Sequence, residues 1–152
     1  METVVAEIER AVATLQLPPE AMRLLAAGEG DAVYLAAQRQ FVSSEDRRWW
    51  WEALRSPGVS AAFEAGDGWR HIPHICPNAN EAVWFIAEEN QLSRYPVYET
   101  TPQIAAQVIA QCYAFEYYLV AKDLSWLLCE NHHNVMCAVG SDLEQRLLAS
   151  AA

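Results

Sequence analysis

Three apolar runs of strand length follow one another in the C-terminal half of the chain, at 117–122, 126–130 and 135–139. Continuous apolar runs of this length indicate strands of a sheet that is buried on both faces. The segments between them, 122–125 and 131–134, are so short that neighbouring strands must be antiparallel. The sequence therefore predicts two consecutive β-hairpins.

The second of these turns carries a polar cluster, Glu130-Asn131-His132-His133-Asn134, which holds two of the four histidines of the chain. A polar interruption of an otherwise apolar pair of strands marks the place where the backbone reverses at the surface. We therefore predict that His132 and His133 lie at an exposed hairpin tip. All residues of this cluster are candidate binding residues.

Helical spacing dominates the N-terminal third. Apolar residues three and four positions apart predict a first amphipathic helix, ended by Pro18, that buries Val5, Ile8, Val12 and Leu15. A second, short helix is predicted from about Glu20 to a terminating Gly28. The segment 31–41 fits a strand and a helix equally well, because its apolar residues alternate while its alanines and glutamines favour a helix.

A third helix is predicted after this ambiguous segment. Ser43 and Ser44 can cap its N terminus, and Glu45 and Asp46 place acids in the first turn, where the helix dipole favours them. The Pro-Gly pair at 57–58 ends the helix.

Three consecutive tryptophans, Trp49-Trp50-Trp51, fall within this predicted helix. Three successive helical residues fan across about 200°, so Trp50 and Trp51 can share a buried stripe whereas Trp49 must point elsewhere. Trp49 then either lies under a loop or at a sheet edge, or serves as an interface anchor flanked by Arg47 and Arg48. On the second interpretation, Trp49 is a candidate binding residue.

The remaining pattern completes one α+β domain that covers residues 1–152. Residues 59–80 are punctuated by glycine and proline and predict a long irregular connection. We expect a buried strand at 82–87, an edge strand at 95–98, and helices that begin at 101–102 and 140–142. A chain that is 53% hydrophobic and 20% charged can bury one substantial core at this length. The predicted architecture is an antiparallel sheet of about four or five strands covered by helices.

The formal net charge of −10 narrows the class of partner. Nucleic acids and anionic membranes attract clustered lysine and arginine, and Lys122 is the only lysine in the chain, so we expect neither as a partner. The same charge would attract a basic protein and speed its encounter. Solubility is the simpler explanation of the charge.

The sequence predicts a cytoplasmic protein with reduced cysteines. Acids at Glu2, Glu7 and Glu9 argue against a signal peptide, and no apolar run approaches the ~18 residues of a membrane span. In a reducing compartment the cysteines, which form no Cys-x-x-Cys pair, are expected to be free thiols. They are Cys76, Cys112, Cys129 and Cys137.

The spacing of His71, His74 and Cys76 raises the question of a zinc site. The fourth ligand would come from His132, His133 or Glu130. Pro73 is expected to interrupt a helical arrangement of the two histidines, and a strand would place them on opposite faces. We therefore predict no metal and no cofactor.

The chain also carries distinctive residue sets. They are Arg-Trp-Trp-Trp-Glu-x-Leu at 48–54, followed by Glu116-Tyr117-Tyr118, Lys122, Trp126-Leu127 and Glu130-Asn131-His132-His133. In these motifs the chain resembles a family of small uncharacterised bacterial proteins, some of which look like the immunity partners of secreted toxins. The resemblance covers roughly 33–140, supports the α+β prediction and implies no catalytic residue.

The sequence thus favours an acidic protein-binding domain, with Trp49 and the 130–134 cluster as its binding residues, and the resemblance implies a toxin-immunity type of protein. No Gly-x-Ser-x-Gly elbow, phosphate-binding glycine loop or His-Glu-x-x-His helix is present, and we predict no catalytic residue. Two alternatives stay open: a small enzyme or metal-binding protein that uses the hairpin tip, and a structural homo-oligomer such as a homodimer.

Overall fold

The computed structural model describes residues 2–44 and 49–152. Over these residues the chain forms the predicted α+β fold, but its antiparallel sheet has seven strands rather than four or five. The α-helices are α1 (Val4–Thr14), α2 (Ala27–Phe41), α3 (Ile72–Ile75), α4 (Pro102–Ile109) and α5 (Ser141–Ala151). The strands are β1 (Arg23–Leu24), β2 (Val59–Ala62), β3 (Val83–Ala87), β4 (Val97–Thr100), β5 (Tyr117–Ala121), β6 (Leu127–Glu130) and β7 (Val135–Val139). Short 3-10 helices lie at Pro19–Met22, Trp50–Glu52 and Gly68–His71.

The strands follow the order β1-β4-β3-β5-β6-β7-β2, and every neighbouring pair is antiparallel. Both predicted hairpins are present, as β5–β6 with Leu119 opposite Leu128 and as β6–β7 with Cys129 opposite Cys137. The additional strands β1 and β2 form the two edges of the sheet. The strand predicted as an edge at 95–98 is therefore an interior strand, β4, because β1 covers its outer side.

Alternate side chains of the central strands enter two hydrophobic cores, one on each face of the sheet. Tyr117 and Leu119 of β5 belong to the core that α1, α3, α4 and α5 cover. Tyr118 and Val120 belong to the core that α2 and Trp50 cover. This burial on both faces explains why the strands are continuous apolar runs rather than alternating ones.

The N-terminal third departs from the predicted helices after α1. The helix predicted from Glu20 to Gly28 is wrong, because a 3-10 helix leads into β1 and Gly28 lies in the first turn of α2. Pairing with β4 decides this, since the Leu25 N–H donates to the Val97 carbonyl at 2.9 Å. The ambiguous segment is helical as part of α2, whose buried residues are Gly30, Tyr34, Ala37 and Phe41.

The helix predicted across the tryptophans is wrong in the part that the structure describes. Residues 45–48, which hold the predicted first-turn acids and the arginines beside Trp49, lie outside the described residues. Trp49 has a left-handed backbone with a φ of 55°, and one 3-10 turn follows at Trp50–Glu52. Val42 and Leu54 form an antiparallel bridge, so the two ends of the segment pair like strands instead of continuing a helix.

The connection predicted at 59–80 contains regular structure. It holds the edge strand β2 and a 3-10 helix that runs directly into α3. Pro73 lies in the first turn of α3, where its missing N–H leaves no helical hydrogen bond unmade, so it does not interrupt a helix as predicted.

The other predicted helices, α1, α4 and α5, are confirmed. Thr101 caps α4, with its side chain accepting from the Ile104 N–H, and Pro102 occupies the first turn. Gly140 precedes α5 with a φ of 120°, and a Cβ there would come within 2.7 Å of the Trp126 Cβ. None of the helices in the described residues is long and apolar enough to cross a membrane.

Candidate binding site

One end of the sheet brings together residues from three separate strands. Ala87 at the end of β3 pairs with Tyr117 at the start of β5, which in turn pairs with Glu130 at the end of β6. Glu88 and Glu116, the residues next to these strand ends, therefore lie side by side, and the Glu88 N–H donates to the Glu116 carbonyl at 2.9 Å. The tip of the β6–β7 hairpin lies at the same end of the sheet.

Glu116 connects the hairpin tip to the tryptophan segment. Its Oε1 accepts hydrogen bonds from the His132 N–H at 3.0 Å and from the Trp51 indole N–H at 3.3 Å. The same oxygen lies 2.6 Å from His132 Nδ1, which forms an ion pair when the imidazole is protonated. Because the Glu116 side chain is only 10% exposed, water competes little with these contacts.

Four aromatic rings form a contiguous cluster over Glu116. The ring of His132 lies 5.7 Å from that of Trp49, 5.6 Å from that of Trp51 and 4.0 Å from that of His133. Trp51 also contacts His133, edge to face, at 6.0 Å. Two segments that sequence analysis proposed separately, the Trp49 segment and the histidines of the tip, are thus neighbours in space.

The 130–134 residues have different roles at the tip. His132, His133 and Asn134 are exposed, whereas Asn131 is buried, and its Oδ1 accepts from the N–H groups of His133 and Val135 at 2.8 and 3.2 Å. Asn134 has a left-handed backbone with a φ of 61°. Asn131 and Asn134 therefore shape the turn, and the two imidazoles are exposed on it.

Glu130, also predicted as a binding residue, is buried beneath the tip. Its Oε1 accepts from the Tyr117 hydroxyl at 2.8 Å, while its Oε2 has no hydrogen-bond partner among the described residues. Burial raises the pKa of this carboxyl, and the Tyr117 hydroxyl opposes the shift. Glu130 therefore supports the hairpin from below and does not form part of its exposed surface.

Glu88 is held by two tyrosines beside the aromatic cluster. Its Oε1 accepts from the Tyr95 hydroxyl at 2.9 Å, and its Oε2 accepts from the Tyr118 hydroxyl at 2.7 Å. Burial raises the pKa of Glu88 to about 7, a hydrogen bond shared with Glu116 adds to the shift, and the hydrogen bonds from the two tyrosines oppose it. Glu88 is therefore partly protonated near neutral pH.

Trp49, Glu88, Glu89, Tyr113 and Glu116 line an open groove of about 710 Å³, here called the acidic groove. Glu2 and Glu7 also lie along it, and no lysine or arginine is among its described lining residues. The exposed rings in the groove are those of Trp49, at 37%, and Tyr113, at 78%. The combination of carboxylates and exposed aromatic rings is suited to a positively charged ligand.

Sequence analysis missed Glu88 and Glu116 as site residues. The only local signal is that each acid directly adjoins a buried strand, Glu88 after β3 and Glu116 before β5. That signal cannot reveal that the two strands are neighbours. The sequence therefore does not show that the two carboxyl groups lie close together.

A model of one protein family matches residues 1–151 of the chain. The chain belongs to DUF6756, a family of unknown function. Comparison with curated proteins and with solved structures gives no match.

His71, His74 and Cys76, which were considered as zinc ligands, are not among the residues that line the acidic groove in this DUF6756 protein. The His71 ring stacks on Phe63 at 4.3 Å, and Arg146 donates to the carbonyls of His74 and Cys76. Cys76 itself is buried. In residues 2–44 and 49–152, no group of three or more His, Cys, Asp or Glu side chains is placed to hold a metal ion.

Replacing Glu88 with glutamine should remove part of the pH dependence of stability in this DUF6756 protein. The folded state raises the pKa of Glu88 from an ordinary value of 4.5 to about 7, so it holds a proton that the unfolded chain has released. Wild-type stability should therefore fall as pH rises from 4.5 to about 7. Allowing for partial exposure, Glu88→Gln should be more stable relative to wild type at pH 8 than at pH 5 by about 1 kcal/mol.

Urea denaturation of both proteins at the two pH values measures this difference. Glu81→Gln is the matched control, because Glu81 is an exposed acid before β3, at the opposite end of the same strand. The control should leave the pH dependence of stability as in wild type. Equal pH dependence in Glu88→Gln and wild type would show that Glu88 titrates normally.

Proposed function

We propose that this DUF6756 protein is an acidic protein-binding domain that binds a basic partner through the acidic groove and the exposed histidines of the tip. One observation carries the proposal: Trp49, the His132–His133 pair and the carboxyl groups of Glu88, Glu89 and Glu116 converge at one end of the sheet. They come from distant parts of the chain, and the fold presents them on one surface.

The groups in the groove provide the two features that a stable interface requires, which are complementary charge and apolar area that loses water on binding. The charge of −10 speeds the approach of a basic protein, and carboxylates at the groove guide its cations. Trp49 supplies apolar area that loses water on binding, which charged groups alone do not provide. Trp49 and Tyr113 can also take lysine or arginine side chains against their ring faces.

A basic toxin bound by an immunity protein is a partner of the proposed kind, in line with the resemblance in the motifs. A second copy of the chain is the alternative partner. Two copies would each carry a charge of −10, and the acidic groove of one would meet an acidic partner. Like charges across an interface cost binding free energy, so charge favours a basic partner over a homodimer.

Trp49→Ala should weaken binding of the basic partner by about 1 to 2 kcal/mol, a loss of roughly 5- to 30-fold in affinity. The indole is partly exposed in the free protein, at 37%, so the variant should fold almost normally. The partner is obtained by affinity purification of the tagged chain from its own cells. Isothermal titration calorimetry of the purified pair then gives the dissociation constants for wild type and variant.

Leu148→Ala is the matched control, because Leu148 is 47% exposed on α5 and does not line the groove. This control should retain wild-type affinity. Binding by wild type should also weaken as the salt concentration rises, because salt screens the attraction between the carboxylates and the basic partner. If Trp49→Ala binds every captured protein as tightly as wild type does, the interface lies elsewhere.

A further inference from the structure

The four cysteines of the chain lie in different environments. Burial raises the pKa of Cys76 to about 12, and burial followed by the charge of Glu7 raises that of Cys112 to about 11. These two thiols are therefore protonated and weakly nucleophilic at neutral pH. Cys129 and Cys137 differ from them because each has the other as its neighbour.

Cys129 and Cys137 lie directly opposite each other on β6 and β7. Directly opposed residues of antiparallel strands point to the same face and have Cα atoms about 4.5–5.5 Å apart. A disulfide requires a Cα separation of about 4.4–6.8 Å, so the strand register satisfies its backbone requirement. On the other side of β7, the Ser60 hydroxyl of β2 donates to the Cys137 sulfur at 3.3 Å.

The pKa values of the two thiols are shifted in opposite directions. Hydrogen bonding by the Cys129 thiol lowers the pKa of Cys137 to about 6 against the opposing effect of burial, and the Ser60 hydroxyl assists. The same interaction, together with burial, raises the pKa of Cys129 well above its usual range, and the Glu116 charge adds to this shift. These contacts favour the thiolate at Cys137 and the protonated thiol at Cys129.

We propose that Cys137 and Cys129 are an oxidisable dithiol that closes a reversible cross-strand disulfide, with hydrogen peroxide as the oxidant. The Cys137 thiolate attacks one peroxide oxygen, the O–O bond breaks, and the departing hydroxide takes up a proton to become water. Cys129 then loses its proton and attacks the sulfenic sulfur of Cys137, and the hydroxyl leaves as a second water. The thiolate and the thiol together lose two electrons and the one proton of Cys129, solvent supplies the proton that the hydroxide takes up, and peroxide becomes two molecules of water.

The position of Cys129 and Cys137 decides how an oxidant reaches them and which strands the disulfide would join. Cys137 is one strand in from the sheet edge, beside the exposed Ser60 of β2, so an oxidant has a short path to it. The bond would join the two strands of the hairpin that ends in His132 and His133. Oxidation would therefore link the strands beneath the same tip that the proposed protein interface uses.

Peroxide treatment of the full chain at pH 7.4, followed by alkylation and mass spectrometry without reductant, tests the proposal. The chain should lose two hydrogen atoms in mass, and the cross-linked peptides should contain Cys129 and Cys137. Dithiothreitol should reverse both changes. Cys137→Ser should abolish them, whereas Cys112→Ser, the matched control, should leave them intact. A first product at Cys112, or an unlinked sulfinic acid at Cys137, would overturn the proposal.

Alkylation of the wild-type protein provides a second measurement that does not depend on a variant folding. Exposure alone predicts that iodoacetamide modifies the half-buried Cys112 before Cys137, which is 6% exposed. The proposal predicts the reverse order, with the rate at Cys137 reaching half its maximum near pH 6. A Cys137 rate that rises only above about pH 8.5, the range of an ordinary thiol, would contradict a stabilised thiolate.

Discussion

Replacing Trp50 with alanine is expected to lower the free energy of unfolding by about 3–5 kcal/mol. The Trp50 side chain is 0% exposed, and its ring packs between those of Tyr34 at 5.1 Å and Tyr118 at 4.9 Å. Its backbone N–H also donates to the Tyr118 hydroxyl at 3.0 Å, which fixes the segment against β5. Removing the indole leaves a cavity that these rings cannot refill, and urea denaturation measures the loss.

The neighbouring tryptophan provides the matched control for this experiment. Trp49→Ala makes the same chemical change one residue away, at a side chain that is 37% exposed, and should cost no more than about 1 kcal/mol. Circular dichroism should show native secondary structure for both variants under folding conditions. If the two substitutions destabilise the protein equally, Trp49 is a core residue and the proposed interface loses its anchor.

Leu128→Ala is expected to cost about 2–5 kcal/mol by opening a cavity in the opposite core. Leu128 is 0% exposed on β6, and it lies opposite Leu119, which is equally buried, in the core beneath α1, α3, α4 and α5. Thermal and urea denaturation should both report the loss. The control is Leu148→Ala on the solvent side of α5, which should change stability by less than about 0.5 kcal/mol. Unchanged stability in Leu128→Ala would mean that this strand does not face the core.

The hairpins could be predicted because their information is local. Runs that are apolar at every position require burial on both faces, and four-residue turns leave antiparallel pairing as the only connection. The same pattern places a polar interruption at the surface, and His132 and His133 are exposed at that tip. The caps of α4 also follow from a residue and its nearest neighbours, Thr101 and Pro102.

The edge strands could not be predicted, because their residues do not carry the pattern of an interior strand. β1 has two residues and β2 alternates between half-buried and exposed positions, so neither has a run long enough to indicate a strand. Both form because a neighbouring strand, β4 or β7, offers unpaired backbone groups. The inner side of α2 escaped detection because glycine and alanine occupy positions where large apolar residues would have revealed the helix.

The conformation of the tryptophan segment at the candidate site also could not be predicted from local sequence. Sequence spacing distinguished Trp49 from Trp50 by assuming a helix, and the structure separates them by a left-handed residue followed by a 3-10 turn. Trp50 is buried as predicted and Trp49 points elsewhere, but Trp51, predicted to share the buried stripe, is only half-buried, and the predicted local conformation was wrong. Burial of Trp50 depends on Tyr34 and Tyr118, which come from distant parts of the chain.

The sequence by itself determined the antiparallel hairpins, the exposed histidine tip and the acidic character, because each depends on the order of polar and apolar residues or on composition. The tertiary structure decided which acids meet the tip. Glu88 and Glu116 are far apart in sequence, and the β3–β5 register alone places them together beneath His132 and beside Trp49. The tertiary structure also decided that Cys129 and Cys137 form a pair of neighbouring thiols, and the pKa of each depends on its partner across the strands.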